Sequence, residues 1–350
     1  MPLPFILGAA AVSLIGYGAK KGIDGYQDSS RADEIIEKQN ARRDRIQRSQ
    51  ELAQEKQNKE LKILDKLELD IVDEFKEFQK LAERLGFRSA DKLQDNTQTV
   101  KINSHIEKLM HTADAFAIGL ATGVLAGGAA SFATYAGVMS FAAASTGTAI
   151  SSLSGVAAYN ATMAAIGGGS LAAGGLGMAG GTVILSAVAT APLIAILGHT
   201  YANKAEEKLK EAYNFRDKVD GFENKVNNKI IPYFNKVIDQ VDKLYWALRD
   251  LRKVFVSDYL QPLREAERIK LSGQSLRNIE DELKRKVMNG YILGNVIAEI
   301  IITPFFKLKE SGDNIIILKD RDGLQILNTE EIEQNIQDGN TSLRQKGLIS

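Results

Sequence analysis

The sequence predicts a mainly α protein: long amphipathic, coiled-coil helices flank an apolar, Gly/Ala-rich helical hairpin, and a small β-hairpin lies near the C-terminus. Three observations carry that reading. Residues 115–203 run for 89 positions between Asp114 and Lys204 without one Lys, Arg, Asp or Glu, and they hold 16 of the 30 glycines. The flanks are densely charged, with apolar residues recurring at helical spacing. Near the end, the apolar runs 314–319 and 324–327 bracket Asp320-Arg321-Asp322-Gly323, the pattern of two strands around an Asp-Gly turn.

The first segment, residues 1–25, begins with an uncharged run from Pro2 to Gly18, followed by Ala19 and Lys20-Lys21. A secretory signal places its basic residues before the apolar stretch. Here they follow it, as in an anchor whose charged flank stays in the cytoplasm. The run is short for a full span, so an interfacial or re-entrant helix, or one packed on the central hairpin, fits as well.

Residues 26–112 read as charged coiled-coil helix. Leu61, Leu64, Ile71, Phe75, Phe78, Ala82 and Leu85 keep a heptad, which buries a narrow seam against another helix. Glu68 occupies one core slot of that heptad, with Leu67 beside it. About 55 helical residues would reach about 80 Å. The stretch from Gly86 to Thr99 reads as a break, and Ser104 with Glu107 forms a capping box that starts the next helix.

The apolar region, 113–203, divides into three helical pieces. The first spans about Ile106 to Ala144 and carries Gly119, Gly123 and Gly127 four residues apart, which puts them near one face. Ser145 to Thr148 interrupts it. A second piece, Ile150 to Ile166, ends at Gly167-Gly168-Gly169. The third runs from Ser170 to about His199, with Gly177 and Gly181 four apart and a kink at Pro192. Membrane insertion and close helix packing are expected to fall on these five glycines, together with Phe116, Leu120, Leu125, Ile184 and Leu185.

Residues 204–303 return to amphipathic helix. A stripe from Leu209 to Leu251 is bent by Pro232, and a helix from Ser275 to Ile302 is stopped by Pro304. Residues 304–350 hold the β-hairpin and a tail, with a small helix from Asn328 or Thr329 to Ile336.

Composition excludes several functions. Lys+Arg and Asp+Glu both number 44, so no basic arm points to nucleic acid. With no cysteine there are no disulfides, thiol catalysis or thiolate metal sites. Gly175-Leu-Gly-Met-Ala-Gly180 fits G-x-G-x-x-G only in letters, because it lacks a preceding strand and an acidic residue about 20 positions on. His105, His111 and His199 do not have ligand spacing, and Asp320 and Asp322 serve a turn. The cluster Arg42, Arg43, Arg45 and Arg48 reads as a solvated helix face. Neither an enzyme, a cofactor nor a metal is expected.

The runs Ser145–Gly155, Asn160-Ala-Thr162 and Gly167–Gly175 resemble a motif of uncharacterised bacterial glycine-zipper proteins, a family that brings no established activity. In layout, the chain is similar to α-helical pore-forming toxins of the cytolysin A type and to apolipoprotein L proteins, which also set an apolar helical hairpin between long amphipathic helices. The first apolar segment and the β-hairpin tail depart from that layout.

Three functional expectations follow. The first is a membrane-inserting protein that permeabilises bilayers through 115–203, with the lipid bilayer and further copies of itself as partners. The second is a bacterial inner-membrane scaffold whose charged helices recruit a cytoplasmic protein. The third is a soluble helical interaction module. The expected location is bacterial and membrane-associated, on the cytoplasmic side rather than secreted.

Overall fold

The computed structural model describes residues 23–87, 99–121, 132–142, 144, 148–171, 177–179, 181, 205–311 and 314–349. Its architecture is mainly α, with a two-stranded antiparallel hairpin near the C-terminus, the fold class the sequence predicts. The helices are α1 (Ile23–Leu85), α2 (Thr99–Ala121), α3 (Phe132–Phe141), α4 (Gly155–Ile166), α5 (Ala205–Lys225), α6 (Ile231–Val254), α7 (Gln261–Leu271), α8 (Glu280–Ile302) and α9 (Thr329–Gln345). Strands β1 (Leu308–Ser311) and β2 (Asn314–Ile317) lie between α8 and α9. The chain divides into two compact units, with boundaries inside α1 and α6.

Unit 1 takes Met1–Gln57 and Thr190–Lys236. Its α1 and α5 portions meet through Ala32, Ile36 and Ala212, flanked by Ile35 and Leu209. The largely buried ammonium of Lys208 sits 2.7 Å from Asp33, and Arg42 pairs with both Asp220 and Glu223. Pairs advance together along both helices, so α1 and α5 run side by side in the same direction. Arg42, assigned to a solvated face from sequence, is therefore a link between helices. Arg43 is occupied by Asp44, 2.7 Å away.

Unit 2 takes Asn58–Ala189 and Val237–Ser350. Its centre is aromatic. Phe75 of α1 meets Phe255 edge-on at 4.9 Å between centroids, and Phe78 meets Phe255 and Tyr291, each at 5.2 Å. These contacts follow from the heptad: Leu61, Leu64, Ile71, Phe75, Phe78 and Ala82 are all buried, while Leu85 is partly exposed. Helix α1 ends where the sequence breaks. Gly86 takes φ 97°, its N–H donates to Glu83, and the Phe87 N–H reaches back to Ala82 at 2.9 Å. That pair of bonds satisfies the last carbonyls in a Schellman motif.

Two π turns interrupt the return helices, at Val226–Ile230 and Phe255–Leu260, and each closes two residues before a proline, Pro232 and Pro262. Proline lacks the N–H that would bond the carbonyl four residues back, and its ring crowds that carbonyl, so the helix widens there. The carbonyl freed by Pro262, on Asp258, accepts instead from Lys286 Nζ at 3.3 Å.

The hairpin differs from the sequence expectation in its pairing. Asn314–Ile317 is a strand, but its partner is Leu308–Ser311, with Leu308 opposite Ile317. The Asp320–Gly323 turn forms, with Gly323 at φ 84°, and the residues after it pair back through the isolated bridges Lys319–Gln325 and Phe306–Leu327, with the Ile326 N–H donating to Leu318 at 2.9 Å. Asp320 Oδ1 accepts the N–H groups of Asp322 and Leu324, both at 2.9 Å, which is turn chemistry. The final helix runs to Gln345, well past Ile336.

Candidate functional site

The site is the described part of the uncharged region, held in unit 2. Helix α3 has no charged residue, and Phe132 to Met139 are all buried. A helix of an ordinary surface layer keeps a polar face; one that is apolar all round lies inside a larger core or in lipid. Around α3, Phe116 of α2 stands edge-on to Phe132 and Tyr135, both at 5.2 Å, and Tyr135 stacks on Tyr159 of α4 at 6.4 Å. Burial raises the Tyr135 and Tyr159 hydroxyls above the usual tyrosine range, which keeps both neutral.

Helix α3 is held differently at its start and at its middle. At the start, the Phe132 N–H donates to Oδ1 of Asp65 on α1 at 2.7 Å. A helix leaves its first N–H groups unbonded, and an acidic side chain there satisfies one of them and complements the dipole. One turn further along α1, Glu68 is fully buried, and neither carboxylate oxygen has a hydrogen-bond partner. Desolvation, its main cause, raises the Glu68 carboxyl well above the usual range, and neighbouring Asp65 adds to it. Asp65 is also raised by desolvation, against the opposing pull of the Phe132 N–H and Lys62.

At its middle, Gly137 lies against Pro304, just after α8. Among the described glycines, Gly167 and Gly181 make the tightest approaches. A β-carbon on Gly181 would lie 1.9 Å from the Met163 carbonyl oxygen, and one on Gly167 would lie 2.1 Å from that of Gly177. Helix α4 ends just before, in the glycine run expected to stop it: Gly168 takes φ 84°, and the Gly169 N–H bonds Ala164 at 2.8 Å. Gly177 and Gly181 therefore meet a partner face, Gly167 with Met163, within the same chain.

Of the other residues singled out from sequence, Phe116 is buried, and Gly119 and Leu120 lie on α2. Gly123, Leu125, Gly127, Ile184 and Leu185 lie outside the described residues, as do the segment 1–22 and His199. His105 and His111 are both on α2, and burial lowers the His105 imidazole below its ordinary value. Among the described residues no group of three His, Cys, Asp or Glu side chains converges as a metal site. Among the same residues, no helix is long and apolar enough to cross a membrane. The single helix expected over 106–144 is described as α2 to Ala121 and α3 from Phe132, and neither is a span.

Sequence reasoning missed Gly137, Gly290 and Gly294. The last two are four apart on α8 and admit α1: a β-carbon on Gly290 would lie 2.5 Å from Phe78 Cζ, and one on Gly294 would lie 3.3 Å from Phe75 Cε1. Their i, i+4 spacing was the available signal. Compared with protein-family models, curated proteins and solved structures, the chain matches none.

Proposed function

We propose that this chain is a membrane-active helical protein. It keeps an uncharged, glycine-rich segment as protein core and delivers that segment to a lipid bilayer, which it permeabilises. The observation that carries this reading is α3: a helix with no polar face, packed against α2, α4 and α8 and capped from α1 by Asp65, inside 89 consecutive residues without a charge. Ten helical residues reach about 15 Å, half the roughly 30 Å hydrocarbon thickness. Crossing would require neighbouring uncharged sequence to extend the helix. Helices satisfy their backbone groups internally, so such an extension is compatible with lipid. Backbone-close contacts such as Gly181 on Met163 would then be available to several copies, making a homo-oligomer the working form.

The test is fractionation of detergent-free protein, followed by flotation with liposomes and release of an entrapped dye. Soluble protein that floats with liposomes and releases dye supports the reading. Protein confined to a carbonate-resistant pellet would favour a resident scaffold with a cytoplasmic partner. The soluble interaction module has its own supporting observation, the lack of a membrane-length apolar helix among the described residues. Protein that neither floats nor releases dye would establish it over the membrane reading.

A further inference from the structure

Glu68 occupies a position where an aliphatic side chain belongs. The heptad places it between Leu64 and Ile71, both fully buried like Glu68 itself. An unpaired carboxylate enclosed in protein is strongly disfavoured, so such a group takes up a proton rather than remain charged. Both Glu68 oxygens lack a hydrogen-bond partner, and among the described residues no cation forms an ion pair with it. The adjacent Asp65 has what Glu68 lacks: the Phe132 N–H at 2.7 Å and the attraction of Lys62 on the same helix. Two interacting carboxyls in one site cannot both ionise cheaply. Asp65 is the member equipped to carry the charge, and Glu68 is the member left to carry the proton.

We propose that Glu68 is a proton-binding site that latches the apolar helix α3 against α1. The packed form holds the Glu68 side chain as the neutral acid. When that proton passes to solvent, a buried anion is left one turn from the anionic cap of α3, and α3 loosens from α1. Among the described residues, the charged or titratable groups acting on the pair are Lys62 and the two acids themselves, all on α1, and α3 contributes the Phe132 N–H.

The direction follows from proton linkage. The packed state binds a proton more tightly than the unfolded chain, whose carboxyl titrates near 4.5. Stability from this site is complete below that value and declines as pH rises through the raised value of the packed form. Rising pH is therefore the releasing signal. His105, held low by burial, has the opposite sign, so a comparison that changes Glu68 alone separates the two.

The test is hydrogen exchange of the 132–141 amides in the full chain across pH 5 to 9, corrected for intrinsic exchange, in the parent, Glu68→Leu and Glu68→Gln. The parent is expected to lose protection as pH rises, by at most about tenfold per pH unit, the limit for one proton. Both variants should lose that dependence, and Glu68→Leu should be better protected at pH 9. Should Glu68→Leu misfold, Glu68→Gln decides. A parent profile flat in pH, or the same fall in Glu68→Gln, overturns the proposal. No lipid enters the measurement, so the latch stands or falls apart from the membrane reading.

Discussion

Gly137 of α3 packs directly on Pro304, so closely that a β-carbon on Gly137 would stand 2.5 Å from the proline Cα and 3.1 Å from its nitrogen. Pro304 follows α8 in a tight turn anchored by buried Gln240, whose amide donates to the Phe305 carbonyl at 2.9 Å. The apolar helix is thus held at its start by Asp65 and at its middle by Pro304. Because backbone atoms oppose the new methyl, Gly137→Ala is expected to destabilise unit 2 by about 1–3 kcal/mol. Denaturant unfolding of the variant would show it as a lower midpoint with unchanged slope.

Glycine substitutions elsewhere should divide by sign. Gly181→Ala and Gly167→Ala place a methyl against carbonyl oxygens of Met163 and Gly177, and neither backbone can yield as a side chain would. Both should destabilise. A β-carbon on Gly221, in the interior of α5, would meet nothing within 4 Å. Gly221→Ala should stabilise unit 1 by about 0.5–1 kcal/mol, the usual helical cost of glycine against alanine. Thermal melts of the three variants test this contrast.

Ion pairs along α1 should be unequal in worth to those at the surface. Arg252 grips Glu74 through Nε at 3.0 Å and Nη2 at 2.7 Å, a two-point contact with a mostly buried carboxylate. Lys243–Glu333 is half exposed at both partners. Double-mutant cycles are expected to give about 1–2 kcal/mol for the first and about 0.2–0.5 kcal/mol for the second. Equal values would remove the argument from burial and geometry.

Acid should weaken unit 2 through Glu77. Its bond from Arg264, 2.7 Å at Nε, holds the carboxyl below the usual range. Stability from a lowered carboxyl is present above its ordinary value near 4.5 and disappears as pH falls through the lowered one. Glu77→Gln should therefore be less stable than the parent at neutral pH, and the two should converge once the pH has fallen through the lowered value. Chemical denaturation at neutral pH and at the acid end measures both limits.

Much of this fold is legible in the chain because local signals agree with it. Gly86 and Gly167-Gly168-Gly169 end helices where left-handed or open backbone is required, and Pro304 stops α8. The heptad names the buried face of α1. Glu68 is visible as a breach of that pattern, but whether a breach is solvated depends on what packs over it, which spacing does not encode. Strand β1, Leu-Lys-Glu-Ser, has no β pattern of its own and exists through its ladder with β2. Gly290 and Gly294 show their four-residue spacing within an uncharged stretch of α8, but spacing does not say that Phe78 and Phe75 of α1 pack against them. Gly137 stands alone, and only the arrival of Pro304 gives it meaning.

The most direct measurement exploits the absence of cysteine. Phe141, at the end of α3 and 57% exposed, can be replaced by cysteine and labelled with an environment-sensitive fluorophore without entering the core. Adding liposomes that carry nitroxide-labelled lipid should shift the emission to the blue and quench it, in step with dye release. Emission unchanged by those liposomes, with no quenching, would contradict delivery of this helix to the bilayer.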